Sequence, residues 1–161
     1  GWSVYDNIDK KTIIACNKIT TSKKTKGDNL EEEDERMVYI AQELLHICKT
    51  YNIDVAIMEG QFIGGIQSKK TALQLSRLRG CIMYMLKLND IKIVYKQPSE
   101  WKKDITGKGN STKEDIAAKL QEMYSDNEIV QSLGEFIDRS CKAKNSDIYD
   151  SIGLVTSLAN S

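Results

Sequence analysis

The sequence has one proline, one histidine and no C-x-x-C pair among its 161 residues, and each shortage removes a class of function. Cys16, Cys48, Cys81 and Cys141 are widely scattered, which suits reduced thiols and neither a zinc site nor a disulfide framework. His46 falls inside a helical pattern, where a surface or half-packed role outweighs catalysis. There is no Gly-x-Ser-x-Gly elbow, Walker loop or dinucleotide fingerprint. "FIGG" and "TGKG" hold glycines without phosphate-loop spacing. No apolar run approaches the roughly 20 residues that span a bilayer. "GWSVYDNIDKK" is no signal peptide, so an intracellular setting without a membrane partner is expected.

Net charge is also missing, with 23 basic and 23 acidic residues, but the distribution is uneven. From Ser68 to Lys113 eleven Lys and Arg stand against three acids, a net +8, and "GDNLEEEDE" near residue 30 supplies much of the balance. A local basic field can bind phosphates although the whole chain is neutral. Lys69, Lys70, Arg77, Arg79, Lys103 and Lys108 are its candidate nucleic-acid contacts; for any single lysine, solvating a helix face is the simpler role.

What is present reads as one α/β domain over 1–161. "GWSVYD" and "KTIIACNKI" flank "NIDK" as an antiparallel hairpin. Asp28 or Asn29 caps a helix from Leu30 whose stripe is Met37, Ile40, Leu44, Ile47 and Tyr51. "IDVAIM", residues 53 to 58, is a strand expected to be buried on both faces. A second helix runs from Lys69 to Leu88, with Ser68 as cap and Leu75, Leu78, Ile82 and Met85 as its stripe. "IKIVYK" is a further strand ending before Pro98. After a glycine loop, Ser111 or Thr112 caps another helix. "NSDIYDSIGLVTSLA" is the last helix, with Asp147 and Asp150 at its start.

Those two aspartates, three apart, share one helix face. They suit the positive end of the helix dipole, or they hold a metal; the pair alone leaves both open. Glu59 follows the apolar strand in "AIMEGQF", which delivers a carboxylate to the C-terminal edge of the sheet, or else merely ends a strand in solvent. Together Glu59, Asp147 and Asp150 suit a hard divalent cation such as Mg2+, and beside a basic surface that combination points to phosphodiester chemistry.

The segments "DVAIMEGQF", "ALQLSRLRG", "SEWKKDITGKGNSTKEDI" and "SDIYDSIGLVTSLA" resemble, in order and spacing, the RuvC-like Holliday junction resolvases of the ribonuclease-H-like fold. The resemblance implies a mixed β-sheet flanked by helices and a structure-selective endonuclease that acts on four-way junctions. It also implies Mg2+, with Mn2+ as a substitute, and two-metal hydrolysis by a homodimer in the bacterial or phage-host cytoplasm. Glu59 matches the family's acid at the end of its central strand, and Asp147 and Asp150 match the two acids of its last helix. Phe62 matches an aromatic that contacts the junction's bases. Lys102 and Lys113 match two lysines near the scissile phosphate, and Gly107 and Gly109 match the glycine turn between them. Trp101 has no counterpart and is assigned to packing.

The family's first, central strand carries a fourth acid, and "GWSV" looks like the start of its second strand. The natural protein is therefore expected to have an upstream segment with that strand and acid. The second helix, with Met85 of its stripe and Met83 and Leu86 beyond it, is a candidate dimer surface or else core. Two rival functions remain: a nuclease of the same fold acting on RNA or linear DNA, and a junction-binding module without catalysis. An actin-like sugar kinase fits poorly, because its glycine-rich phosphate loops are absent.

Overall fold

A computed structural model describes residues 1–22, 29–60, 69–134 and 139–160, so Phe62 and Ser68 lie outside the described residues. The chain forms two compact units. One comprises Gly1–Lys18, Ile57–Gly60 and Tyr95–Ser161, the other Ile19–Ala56 and Gln61–Val94.

The first unit opens with the expected hairpin, β1 (Trp2–Asp6) paired antiparallel with β2 (Thr12–Asn17). Asp6 closes its turn, one carboxylate oxygen accepting from the Ile8 and Asp9 amides at 3.0 and 3.1 Å. The helix α3 (Pro98–Thr106) was not foreseen, yet its ends follow local rules. Pro98 occupies the first turn, Glu100 accepts from the Gln97 amide at 2.8 Å, and Gly107 ends the helix at φ 81°. The helix α4 (Lys113–Met123) is capped by Thr112, one of the two expected residues, in a reciprocal box: the Thr112 amide donates to Asp115 and the Asp115 amide to Thr112 Oγ1. A short α5 (Glu128–Gln131) is clamped to the hairpin by Asn127, which donates to Thr12 Oγ1 and Ile13 O, both at 2.8 Å.

The last helix, α6 (Arg139–Ala159), corrects the expectation for the aspartates. It starts more than two turns before Asp147, so neither acid stands in the first turn, where the dipole acts. Its apolar stripe begins only at Ile148, which is why the polar residues before it did not read as helix. Ile148 and Ile152 of α6 pack with Trp101 and Ile105 of α3, Ile116 and Leu120 of α4, and Ile13 of β2 in one buried cluster.

The second unit is built on α1 (Leu30–Thr50) and α2 (Lys69–Leu88), packed against each other. Asn29 caps α1 by accepting from the Glu32 amide at 3.2 Å. The expected α1 stripe holds from Met37 to Ile47 as half-buried residues, whereas Tyr51 is exposed. On α2 the buried line is rotated. Leu75, expected in the stripe, is 49% exposed, and Leu86, expected outside it, is 3% exposed. Spacing by four through Leu78, Ile82 and Leu86 describes the observed face better than the mixed spacing from Leu75.

Strands β3 (Val55–Glu59) and β4 (Lys92–Lys96) form a second two-stranded sheet. The Lys92 amide donates to Asp54 O and the Gly60 amide to Lys96 O, so partners advance together and the pair is parallel, with α2 as the crossover. The expected mixed set of strand directions is present, divided among the described residues between two separate sheets. The strand read at 53 to 58 lies at Val55–Glu59, and it is not buried on both faces, since Val55 and Glu59 are exposed. Among the described residues β4 is the one strand paired with it, along a single edge.

Candidate functional site

All five residues expected to perform chemistry lie in the first unit. Glu59 ends β3, and one of its oxygens accepts a 3.1 Å hydrogen bond from Trp101 Nε1. Asp147 and Asp150 project from α6, Asp147 exposed and Asp150 half-buried, while Ile148, Tyr149 and Ile152 face the core. The helix is therefore anchored by its apolar face, and the acids sit at the rim. Tyr149 fixes it further by donating to Gly134 O at 2.7 Å and accepting from Gln121 at 2.5 Å.

Lys113 is the first residue of α4, and its ammonium lies 3.7 Å from Asp150 Oδ2. A lysine there opposes the helix dipole, a local cost of a few tenths of a kcal/mol to about 1. The turn that places it is pinned: the Thr106 and Ser111 hydroxyls meet at 2.5 Å, and a side chain on Gly109 would come within 2.8 Å of Ser99 O. Lys102, half-buried, holds its ammonium 5.7 Å from the centre of the Trp101 ring.

The charges form one field. Burial pushes the Asp150 carboxyl above the ordinary aspartate value; Lys113 opposes that rise, Glu59 adds to it, Lys102 opposes it and Asp147 adds to it. The Gly1 amino group also belongs here. Burial lowers its pKa, and Asp147 and Asp150 both oppose that shift. Gly1 packs so closely on the Asp147 carbonyl that a side chain there would overlap it. Among the described residues no three His, Cys, Asp or Glu side chains converge as a metal-ligand group. The donor chemistry nonetheless suits a hard cation: carboxylate oxygens only, with a half-buried acid that its surroundings disfavour as an anion.

The other expected contacts divide. Lys103 and Lys108 are exposed in the first unit. Lys69 and Lys70 are exposed at the start of α2 in the second, as is Arg79 in part. Arg77 is engaged within its own unit, paired with Asp34 and 3.7 Å from Glu33. Phe62 lies outside the described residues. Trp101, assigned to packing alone, is both packed and bonded to Glu59. A buried indole N–H needs an acceptor, which was the available signal.

A family model described as Crossover junction endodeoxyribonuclease RuvC matches residues 2–133, a span that includes Glu59, Lys102 and Lys113 and ends before Asp147. The chain belongs to the RuvC family. Curated RuvC relatives include that of Brachyspira hyodysenteriae, 32% identical over 101 residues, covering 63% of this chain and 61% of the relative. That of Ehrlichia ruminantium (strain Welgevonden) is 30% identical over 130 residues, covering 78% of this chain and 76% of the relative. The chain thus spans under two thirds of the first relative's length. Among solved structures, Thermus thermophilus RuvC superposes with a TM-score of 0.61 at 14% identity, over 92% of this chain and 86% of that one. T. thermophilus RuvC in complex with Holliday junction substrate gives 0.56 at 16% identity, over 84% and 75%. The fold is the ribonuclease-H-like one of RuvC.

Proposed function

We propose that this RuvC-family chain is the catalytic domain of a structure-selective endonuclease that resolves Holliday junctions. The observation that carries the reading is the grouping of Glu59, Asp150 and Lys113 in one electrostatic field, in a chain of this family. Its relatives bear the name crossover junction endodeoxyribonuclease, and the T. thermophilus structure holds a Holliday junction.

Glu59, Asp147 and Asp150 would hold divalent cations, Mg2+ or Mn2+, which when bound activate water and offset charge on the leaving oxygen. A further acid on a segment preceding Gly1 would complete the set. Lys113, anchored at a helix start, holds a positive charge against developing negative charge on the scissile phosphate. Lys102, Lys103 and Lys108 extend that field along the phosphate backbone, and Lys69, Lys70 and Arg79 add contacts from the other unit. Phe62 is assigned to stacking on or between bases at the junction. Two cuts placed symmetrically need two sites, so the working form is a homodimer. Its candidate surface is the outward side of α2, where Leu73, Met83, Tyr84 and Leu88 are exposed.

The test uses the natural full-length protein with a labelled four-way junction and a linear duplex, each with Mg2+ and with chelator. Paired, Mg2+-dependent cuts in the junction alone are expected. Junction binding without cleavage under any divalent cation would replace this reading with a binding module.

A further inference from the structure

Trp101 is 1% exposed and meets its surroundings through two edges and one face of its ring. Its indole N–H reaches past the core to Glu59 Oε1 at 3.1 Å. The far edge of its six-membered ring rests on α6 at Gly153, where an added Cβ would lie 2.7 Å from Cζ3 and 3.1 Å from Cε3. Only a residue without a side chain lets the helix backbone approach the ring so closely. Gly153 follows Asp150 by three residues, about one helical turn. Over the ring face lies the Lys102 ammonium, at cation–π range. One rigid side chain therefore spans from the strand-end acid to the acid-bearing helix, while a lysine of the site sits on its face.

A glutamate at an exposed strand end has three side-chain torsions to fix, and a hydrogen bond from a buried, immobile indole restricts them. We propose that Trp101 is a positioning residue: it holds Glu59 at a fixed reach from Asp150, with Gly153 as the seat that sets the distance, and so pre-organises the pair for a divalent cation. This deepens the nuclease reading and rests on it for the cation. Pure packing would need the ring but not its N–H, and would be indifferent to what Glu59 carries.

The experiment uses the natural full-length protein labelled at the indole nitrogens, with Trp2→Phe and Trp101→Phe to assign the signals of these two residues. Glu59→Gln is expected to move the Trp101 indole N–H resonance and leave that of Trp2 in place. Trp101→Phe, which removes the donor, should weaken Mn2+ binding measured by calorimetry about tenfold, in the range of outer-shell losses at metal sites. Cleavage by that variant should recover towards the wild-type rate as cation is raised. Phe leaves a smaller ring and can loosen the core, so Gly153→Ala provides the second arm. It keeps the N–H but displaces the indole, and the same weakening of Mn2+ binding is expected. An unmoved resonance in Glu59→Gln, or unchanged Mn2+ affinity in both variants, overturns the inference and leaves the nuclease reading standing. Absence of Mn2+ binding by the wild-type protein overturns the nuclease reading and the cation half of this inference together.

Discussion

The two units differ in what they bury. The first closes a dense core around Trp101, Ile116, Leu120 and Ile152, each nearly or wholly inaccessible. In the second, Ala41, Leu86 and Ile91 are the buried apolar residues among those described, and Leu30, Leu73, Tyr84 and Leu88 are each more than 60% exposed. It also buries Glu33, satisfied by Gln74 at 2.6 Å and by Arg77. A site that must hold acids within fractions of an ångström is built on the unit with the larger buried core. Both units expose some apolar side chains, Ile8 at 80% in the first, but the second exposes more of them and has the stronger reason to associate.

The largest expected effect probes that contrast directly. Ile152→Ala should cost about 2–5 kcal/mol, from the burial removed and the cavity left beside Trp101. In a chain of this size that lowers Tm by roughly 5–15 °C in a calorimetric scan. Leu73→Ala, at 63% exposure, should stay within about 0.5 kcal/mol. A loss at Leu73 that shrinks on dilution would sharpen the comparison further, because the side chain would then be covered by a second copy in solution.

Next in size, Lys113→Ala should lower the single-turnover cleavage rate by about 10²–10³-fold with little change in junction affinity. The counterpart in the second unit, Lys69→Ala with Lys70→Ala, should do the reverse. Affinity falls, and its salt slope falls by about 0.9 for each phosphate that is no longer neutralised, while the rate at saturating protein is kept. Equal effects on rate from both sets of variants would erase the division of labour between the units.

Where the sequence carried strong local rules, the fold was legible in it. Alternation around "NIDK" located the hairpin, and each cap was narrowed to two neighbours, of which Asn29 and Thr112 serve their helices. The short α3 escaped although Pro98 and Gly107 bracket it, since Trp101 and Ile105 are too few to announce a stripe. The start of α6 escaped for the same reason. Of the candidate site, Glu59 stood out by its place after an apolar strand and the aspartates by their spacing, each with a simpler role left open until the family resemblance was added. The tie from Trp101 to Glu59 joins residues 42 apart and exists only once the strand and helix are packed. No local pattern encodes it. Arg77, read as a base for nucleic acid, is engaged by Glu33 and Asp34 for the same kind of reason.

The smallest expected effect concerns Asp150, where stability and function pull apart. Its carboxyl titrates above the ordinary aspartate value, chiefly because burial disfavours the anion, with Lys113 as the main opposing influence. An acid whose folded pKa is raised binds its proton more tightly in the native state than in the unfolded one. Stability therefore falls as pH rises from the ordinary aspartate range through the folded pKa, and the penalty is complete at neutral pH. Asp150→Asn removes it, so this variant should melt higher than wild type at pH 7, and the difference should close on acidification. Solvent reaches the group and screens it, which holds the gain to at most ~2–4 °C, equivalent to about 1 kcal/mol. Added Mg2+ should raise the Tm of the wild type more than that of Asp150→Asn, because a bound cation offsets the burial only where there is a charge to meet. A lower Tm for Asp150→Asn at neutral pH would mean that the Lys113 pairing outweighs burial. Asp150 would then be a structural ion-pair partner, and the densely packed unit would hold no strain on behalf of the site.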